Sequence, residues 1–166
     1  HEPEDCPLLD KEGTAQQRSG VGIVLYISAD RGDIQRDVQL LARRMQNPTE
    51  WDRKRLIRLA RYLKGTRSFG VVMHTPKSKE KNKVYLDMYS DTDFAGCTET
   101  RRAMTCGTLW LYDEPFSSFA RRQGPQTTSS GQAEFYGGTS VVMDGVCVKD
   151  VLKWLGYEVE WKLWFD

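Results

Sequence analysis

Val84-Tyr85-Leu86-Asp87-Met88-Tyr89-Ser90, running on into Asp91-Thr92-Asp93, is the stretch on which the reading of the fold turns. Val84, Leu86 and Met88 alternate with Tyr85, Asp87 and Tyr89, the period of two that sends successive side chains to opposite faces of a β-strand. The strand ends in an acidic cluster, so its last residues carry chemistry rather than packing.

The flanks extend the β pattern. Residues 69–74 form a short β-branched run, read as a strand, and residues 76–83 a polar, Lys-rich surface turn. Residues 107–112 predict another strand, Asp113-Glu114-Pro115 a tight turn and residues 116–120 its hairpin partner. Ser129-Ser130-Gly131 opens a long helix over 132–155, with Phe135, Val142, Val146, Val151 and Leu155 as its apolar positions. Of these, Val142, Val146 and Leu155 are expected to bury against the sheet. Gly137-Gly138 either weakens this helix or lets it pack closely. Gly156 stops it, and residues 159–165 read as a last strand before Asp166. Four strands, a helix and a strand predict an α/β class with a mixed, α+β type sheet.

Upstream the period changes to that of helices. Asp33 is the expected cap of one helix, with Ile34, Val38, Leu41 and Met45 at helical spacing. Gln46-Asn47-Pro48 is short enough to join it to a second helix as a hairpin. Thr49 and Asp52 there approximate a capping box, apolar residues recur at Trp51, Leu56, Ile57, Ala60 and Leu63, and Gly65 supplies a stop. The expected organisation is an acidic extension over 1–19, a helical hairpin over 20–66 and a sheet-containing domain over 67–166.

Composition bounds the function. The 166 residues are 39% hydrophobic and 28% charged, with a net charge of +1, which suits a globular core and excludes a uniformly basic surface. The longest apolar run, residues 21–27, is too short to span a membrane, and nothing at the start reads as a signal peptide. Cys6, Cys97, Cys106 and Cys147 lack the paired spacing of a zinc site and fit reduced thiols in an intracellular compartment. Cys97 and Cys106 could face each other across a hairpin. The opening His1 and the acidic residues after it look like part of a longer product.

The near-neutral total hides a segregated charge. Between Arg53 and Arg67 stand seven bases and no acid: Arg53, Lys54, Arg55, Arg58, Arg61, Lys64 and Arg67. On a helix this gives one core-directed face and one cationic face, which is either a solvated surface or a contact for nucleic-acid phosphates. Three carboxylates stand out by position. Asp91 ends a strand, Glu134 lies early in the long helix and Asp166 ends the last strand. A last strand parallel to residues 84–90 brings Asp91 and Asp166 together, with Glu134 over both. Clustered acids without basic partners call for a cation, and such clusters hold Mg²⁺ for phosphodiester hydrolysis.

Several motifs, in order, resemble one family. Arg61-Tyr62-Leu63-Lys64-Gly65-Thr66, followed by Gly70-Val71-Val72, is similar to the junction before the ribonuclease H domain of Ty1/copia-type retrotransposon polyproteins. Ser90-Asp91-Thr92-Asp93-Phe94-Ala95-Gly96 resembles that family's S-D-A-D-W-A-G. Arg101-Arg102 with Thr105-Cys106-Gly107 resembles its R-R-S-x-S-G. Gln123 with Thr128-Ser129-Ser130-Gly131-Gln132-Ala133-Glu134-Phe135 is similar to its K-Q…S-S-T-E-A-E-Y. Ala29-Asp30-Arg31-Gly32-Asp33-Ile34 resembles a worn T-R-P-D-I from the tail of its reverse transcriptase.

The resemblance implies a ribonuclease H-like fold, C-terminally incomplete, with three antiparallel strands and a parallel fourth after the long helix. It implies Asp91, Glu134 and Asp166 as catalytic carboxylates holding two Mg²⁺ (or Mn²⁺) ions for cleavage of the RNA strand of an RNA–DNA hybrid. It adds Ser129 and Ser130 at the helix N-terminus, and Arg101 and Arg102, to the nucleic-acid contacts expected of Arg53, Lys54, Arg55, Arg58, Arg61 and Lys64. Gln132 replaces a family Glu and Phe94 a family Trp, and the expected later strand, helix and fourth carboxylate would follow Asp166. A domesticated, non-catalytic subunit, with protein partners covering the sheet edge, is the alternative, and a nucleic-acid-binding module using only the basic helix sits between the two. A retroelement protein is expected in cytoplasm or nucleus; a domesticated one could sit in an organelle or a complex.

Overall fold

The computed structural model describes residue 3 and residues 5–74, 82–96 and 100–165. Cys97, most of the expected turn over 76–83, and Asp166 lie outside the described residues. The chain divides into two compact units, His1–Gly70 and Val71–Asp166.

The first unit is helical: α1 (Lys11–Ile27), a single 3₁₀ turn (Gly32–Ile34), α2 (Gln35–Arg43) and α3 (Glu50–Gly65). Helix α1 begins inside the stretch expected to be an acidic extension. Asp10 starts it, its carboxylate accepting the Gly13 N–H at 2.7 Å, and Gly13, Gln17, Val21 and Val24 form its buried face. Residues before it are also held: Leu8 bridges to Thr49, and the Glu50 N–H donates to the Pro7 carbonyl at 3.0 Å. The expected hairpin is thus a three-helix cluster.

Val21, Val24, Ile34, Val38, Leu41 and Leu59 form its core, each contributing roughly 1.5–3 kcal/mol by burial. The capping box of α3 is present. The Thr49 hydroxyl accepts the Asp52 N–H at 3.3 Å, and the Asp52 carboxylate accepts the Thr49 N–H at 3.0 Å. The inward face of α3 differs from the expected one, because Asp52 and Leu59 are buried while Ile57 is 44% exposed. Asp33 does not cap α2, whose N-terminus has no side-chain cap.

The second unit is a four-stranded sheet in the order β3-β2-β1-β4, covered on one face by α4. Its elements are β1 (Lys83–Asp93), β2 (Met104–Leu111), β3 (Glu114–Arg122), α4 (Ser130–Trp154) and β4 (Glu158–Trp164). Strands β1, β2 and β3 pair antiparallel, and β4 pairs parallel with β1, Tyr89 standing opposite Trp164. The expected strand over 69–74 is absent: those residues lie exposed, with Val72 at 70%, and pair with no strand. β-Branched content alone cannot make a strand without a ladder partner. The hairpin turn falls on Tyr112-Asp113, both at positive φ (52° and 65°), which is the twist a two-residue loop requires. Pro115 accordingly belongs to β3, an edge strand, where a missing N–H is tolerated.

Helix α4 packs by its small residues. Ala133, Gly137, Gly138, Val141 and Gly145 are its buried positions, and Val142 and Val146 are half-buried. Leu155, expected in the core, is 56% exposed, as are Phe135 at 72% and Val151 at 58%. A Cβ at Gly137 would lie 3.0 Å from the Ser90 hydroxyl and 3.3 Å from that of Thr105, so only a bare backbone allows this approach. Leu86, Met88, Leu109 and Val141 fill the seam. Gly156, at φ +91°, ends the helix: its N–H donates to Lys153 and that of Tyr157 to Leu152, both at backbone carbonyls.

Candidate functional site

Alternation along β1 decides where Asp91 stands. Val84, Leu86, Met88, Ser90 and Thr92 are buried under α4, so Tyr85, Asp87, Tyr89, Asp91 and Asp93 belong to the opposite, open face. Asp91 is exposed there, and its side chain makes no hydrogen bond or ion pair among the described residues. It borders a hollow lined by Tyr89, Ser90, Cys106, Thr108, Trp164 and Phe165. The walls are held rigidly. Tyr89 stacks on Trp164 with planes 14° apart, Trp110 meets Tyr89 edge-on at 5.9 Å, and the Trp164 indole N–H donates to Asp87 at 2.8 Å.

Glu134 comes to the same end of the sheet. The Gln123 amide donates to the Ala133 carbonyl at 2.8 Å and to the Thr105 hydroxyl at 3.0 Å, clamping the end of β3 and the start of β2 to the first turn of α4. One turn later a Cβ added at Gly137 would run into the hydroxyls of Ser90 and Thr92, which flank Asp91 in sequence. Glu134 lies between these anchors and is half-buried. In the sequence Gln123 stands in the family motif without a role, because its two partners, Thr105 and Ala133, are distant in sequence.

Ser129 caps α4, its hydroxyl accepting the Gln132 N–H at 3.2 Å, while Ser130 is the first, exposed residue of the helix. The Gln132 side-chain oxygen accepts from the Thr128 N–H at 2.9 Å and hydroxyl at 3.1 Å, a role that needs an acceptor but no charge. Arg101, exposed at φ +52°, and half-buried Arg102 lead into β2 at the Asp91 end of the sheet.

Among the described residues no group of three His, Cys, Asp or Glu could hold a metal ion. Asp91 and Glu134 by themselves therefore do not make a metal centre, and the third expected carboxylate, Asp166, lies outside the described residues.

In the first unit the expected nucleic-acid contacts separate into two sets. Arg53 faces Glu50 at 3.8 Å, and half-buried Arg55 reaches Asp37 at 3.9 Å. Lys54, Arg58, Arg61 and Lys64 are exposed and make no ion pair among the described residues. Asp33, read as a cap, instead grips Arg31 in a bidentate pair at 2.7 and 2.9 Å and accepts from the Tyr62 hydroxyl at 2.8 Å. Those donors, Arg31 foremost, hold its carboxyl down at about 2. Arg31 also donates to the Thr66 carbonyl at 3.1 Å, tying the 3₁₀ turn to the end of α3.

The chain is 36% identical over 118 residues to an uncharacterized mitochondrial protein of Arabidopsis thaliana, AtMg00810, a match covering 71% of this chain and 47% of that protein. It is 31% and 30% identical over 134 residues to the retrovirus-related Pol polyproteins from transposons RE1 and RE2 of the same plant, covering 80% of this chain and 9% of each polyprotein. The chain thus spans under half the length of these relatives. It is similar over most of its own length to retrotransposon-related polyproteins. No family model matches the chain, and no solved structure matches it. No helix among the described residues is long and apolar enough to cross a membrane.

Proposed function

We propose that residues 71–166 are a retroelement-derived, ribonuclease H-like domain whose line of descent cleaves the RNA strand of RNA–DNA hybrids. The observation that carries this reading is positional: α4 leads into β4 parallel to β1, and this topology puts Asp91 and the Glu134 turn at one end of the sheet. Similarity to Pol polyproteins of transposons supports the lineage. In this reading Asp91, Glu134 and Asp166 jointly bind Mg²⁺ or Mn²⁺, a task the first two do not fulfil alone.

Thermal melts with and without Mn²⁺, alongside cleavage of a labelled RNA–DNA hybrid, test it. Ion binding at 100 times its dissociation constant stabilises the fold by about 2.7 kcal/mol, and Asp91→Asn or Asp166→Asn is expected to abolish that gain. No response to Mn²⁺ in the unsubstituted chain rejects the metal-dependent reading.

One observation favours the second reading, a non-catalytic subunit of an assembly. Helix α4 leaves Trp154 84% and Met143 64% exposed, and β4, the outer strand of the described sheet, leaves Trp164 50% exposed. Apolar surface beside an open strand edge suits coverage by a protein partner.

A further inference from the structure

We propose that the first unit carries a small-ligand site between α2 and α3, which takes a molecule with an apolar body and a single anionic group. A cavity of about 420 Å³ opens there, within the size range of small-molecule sites. Its floor is Ile34, Leu41 and Leu59, all from the core of this unit. Its rim is polar, with Asp37 from α2, Arg55 and Arg58 from α3, and Asp33 with Tyr62 as one wall. That wall is fixed. The Asp33 carboxylate accepts two donors from Arg31, at 2.7 and 2.9 Å, and the Tyr62 hydroxyl at 2.8 Å, while the Arg31 guanidinium lies 5.8 Å from the Tyr62 ring centroid. A wall held this way stands before a ligand arrives, so binding loses little ordering entropy.

Charge selects the ligand. Asp33 is matched by Arg31, and Asp37 by Arg55 at 3.9 Å, which leaves Arg58 as the rim charge without an ion pair among the described residues. A cation would add to that charge, and a second negative group would face Asp37. A monoanion answers Arg58 alone, and the planar guanidinium fork suits a carboxylate. The floor asks for the rest of the molecule to be apolar, since Ile34, Leu41 and Leu59 offer water no hydrogen bond.

The test follows backbone amide chemical shifts of the full chain as phenylbutyrate is added, with phenylbutanol and butyrate as probes that lack the charge and the ring. Phenylbutyrate should shift residues around Ile34, Leu41 and Leu59 with a dissociation constant of about 1–2 mM, as expected for about a dozen heavy atoms. Phenylbutanol should bind about three- to fivefold more weakly, the modest factor that an ion pair to the exposed Arg58 supplies. Butyrate, without a body for the floor, should not saturate below about 10 mM. Arg58→Gln should weaken phenylbutyrate to the level of phenylbutanol and leave phenylbutanol unchanged. Arg61→Gln, on the same helix but outside the cavity, should change neither. If Arg58→Gln loses helicity, the comparison of acid with alcohol in the unsubstituted chain decides. No shift at about 10 mM phenylbutyrate, equal affinity for acid and alcohol, or shifts centred on the exposed Trp154 and Trp164 of the other unit each overturn the proposal.

Discussion

The two units solve the same problem by opposite means. In the first, helices meet through large branched side chains, Val21, Ile34, Val38, Leu41 and Leu59, and the ends are fixed by side-chain caps at Asp10 and Thr49. In the second, α4 meets the sheet where side chains are missing, at Gly137 and Gly145, and the large residues of that helix point outward. On α4 the largest apolar residues, Phe135, Met143 and Trp154, mark the surface, and the core is filled mainly from the sheet by Leu86, Met88 and Leu109.

The contrast breaks most visibly at Val141. It is fully buried between β1 and β2, so Val141→Asp should place an unpaired charge in the core and cost about 4 kcal/mol or more, eliminating the second unit's melting transition. Val146→Asp, at a half-buried position, should cost less than half as much. Equal losses in a urea melt would mean that α4 packs on a different face.

A cap tests the first unit at smaller scale. Thr49→Ala removes the hydroxyl that accepts the Asp52 N–H and leaves the fully buried Asp52 with one donor fewer. A loss of about 1–2 kcal/mol is expected in the transition of residues 1–70, with the other unit's midpoint unchanged. A shift in both midpoints would show that the units do not melt independently.

The smallest effect is acid sensitivity. The carboxyl of Asp33 is held at about 2, below its ordinary 3.8, so the ionised form is favoured by folding. Its contribution is present above pH 4 and is lost as pH falls from 3.8 toward 2. The group is partly exposed, which limits the loss to under about 1 kcal/mol. Stability measured from pH 5 to pH 2 should therefore fall slightly less for Asp33→Asn than for the unsubstituted chain.

What could be read beforehand follows the same division. The limits of α3 were legible because Thr49, Asp52 and Gly65 act locally, and β1 was legible because alternation survives in it, whereas the parallel fourth strand came from the crossover rule and the resemblance. Helix α1 was not, since Gly13, Gly20 and Gly22 interrupt its apolar period; Gly20 is where Leu56 of α3 would come within 2.7 Å of an added Cβ. The run over 69–74 misled in the other direction, having strand composition but no neighbour to pair with. At the candidate site the positions of Asp91 and Glu134 followed from the order of elements, whereas the Gln123 clamp depends on a long-range meeting of β2, β3 and α4.

The glycine seam also bears on the order in which the chain folds. Helix α4 contains Gly131, Gly137, Gly138 and Gly145 together with six β-branched residues, Thr139, Val141, Val142, Val146, Val148 and Val151. Each glycine costs the helix roughly 0.5–1 kcal/mol relative to alanine, so the isolated segment has little tendency to be helical. It acquires its structure by docking. The capped first turns of α1 and α3, at Asp10 and Thr49, draw instead on contacts local to the helix itself.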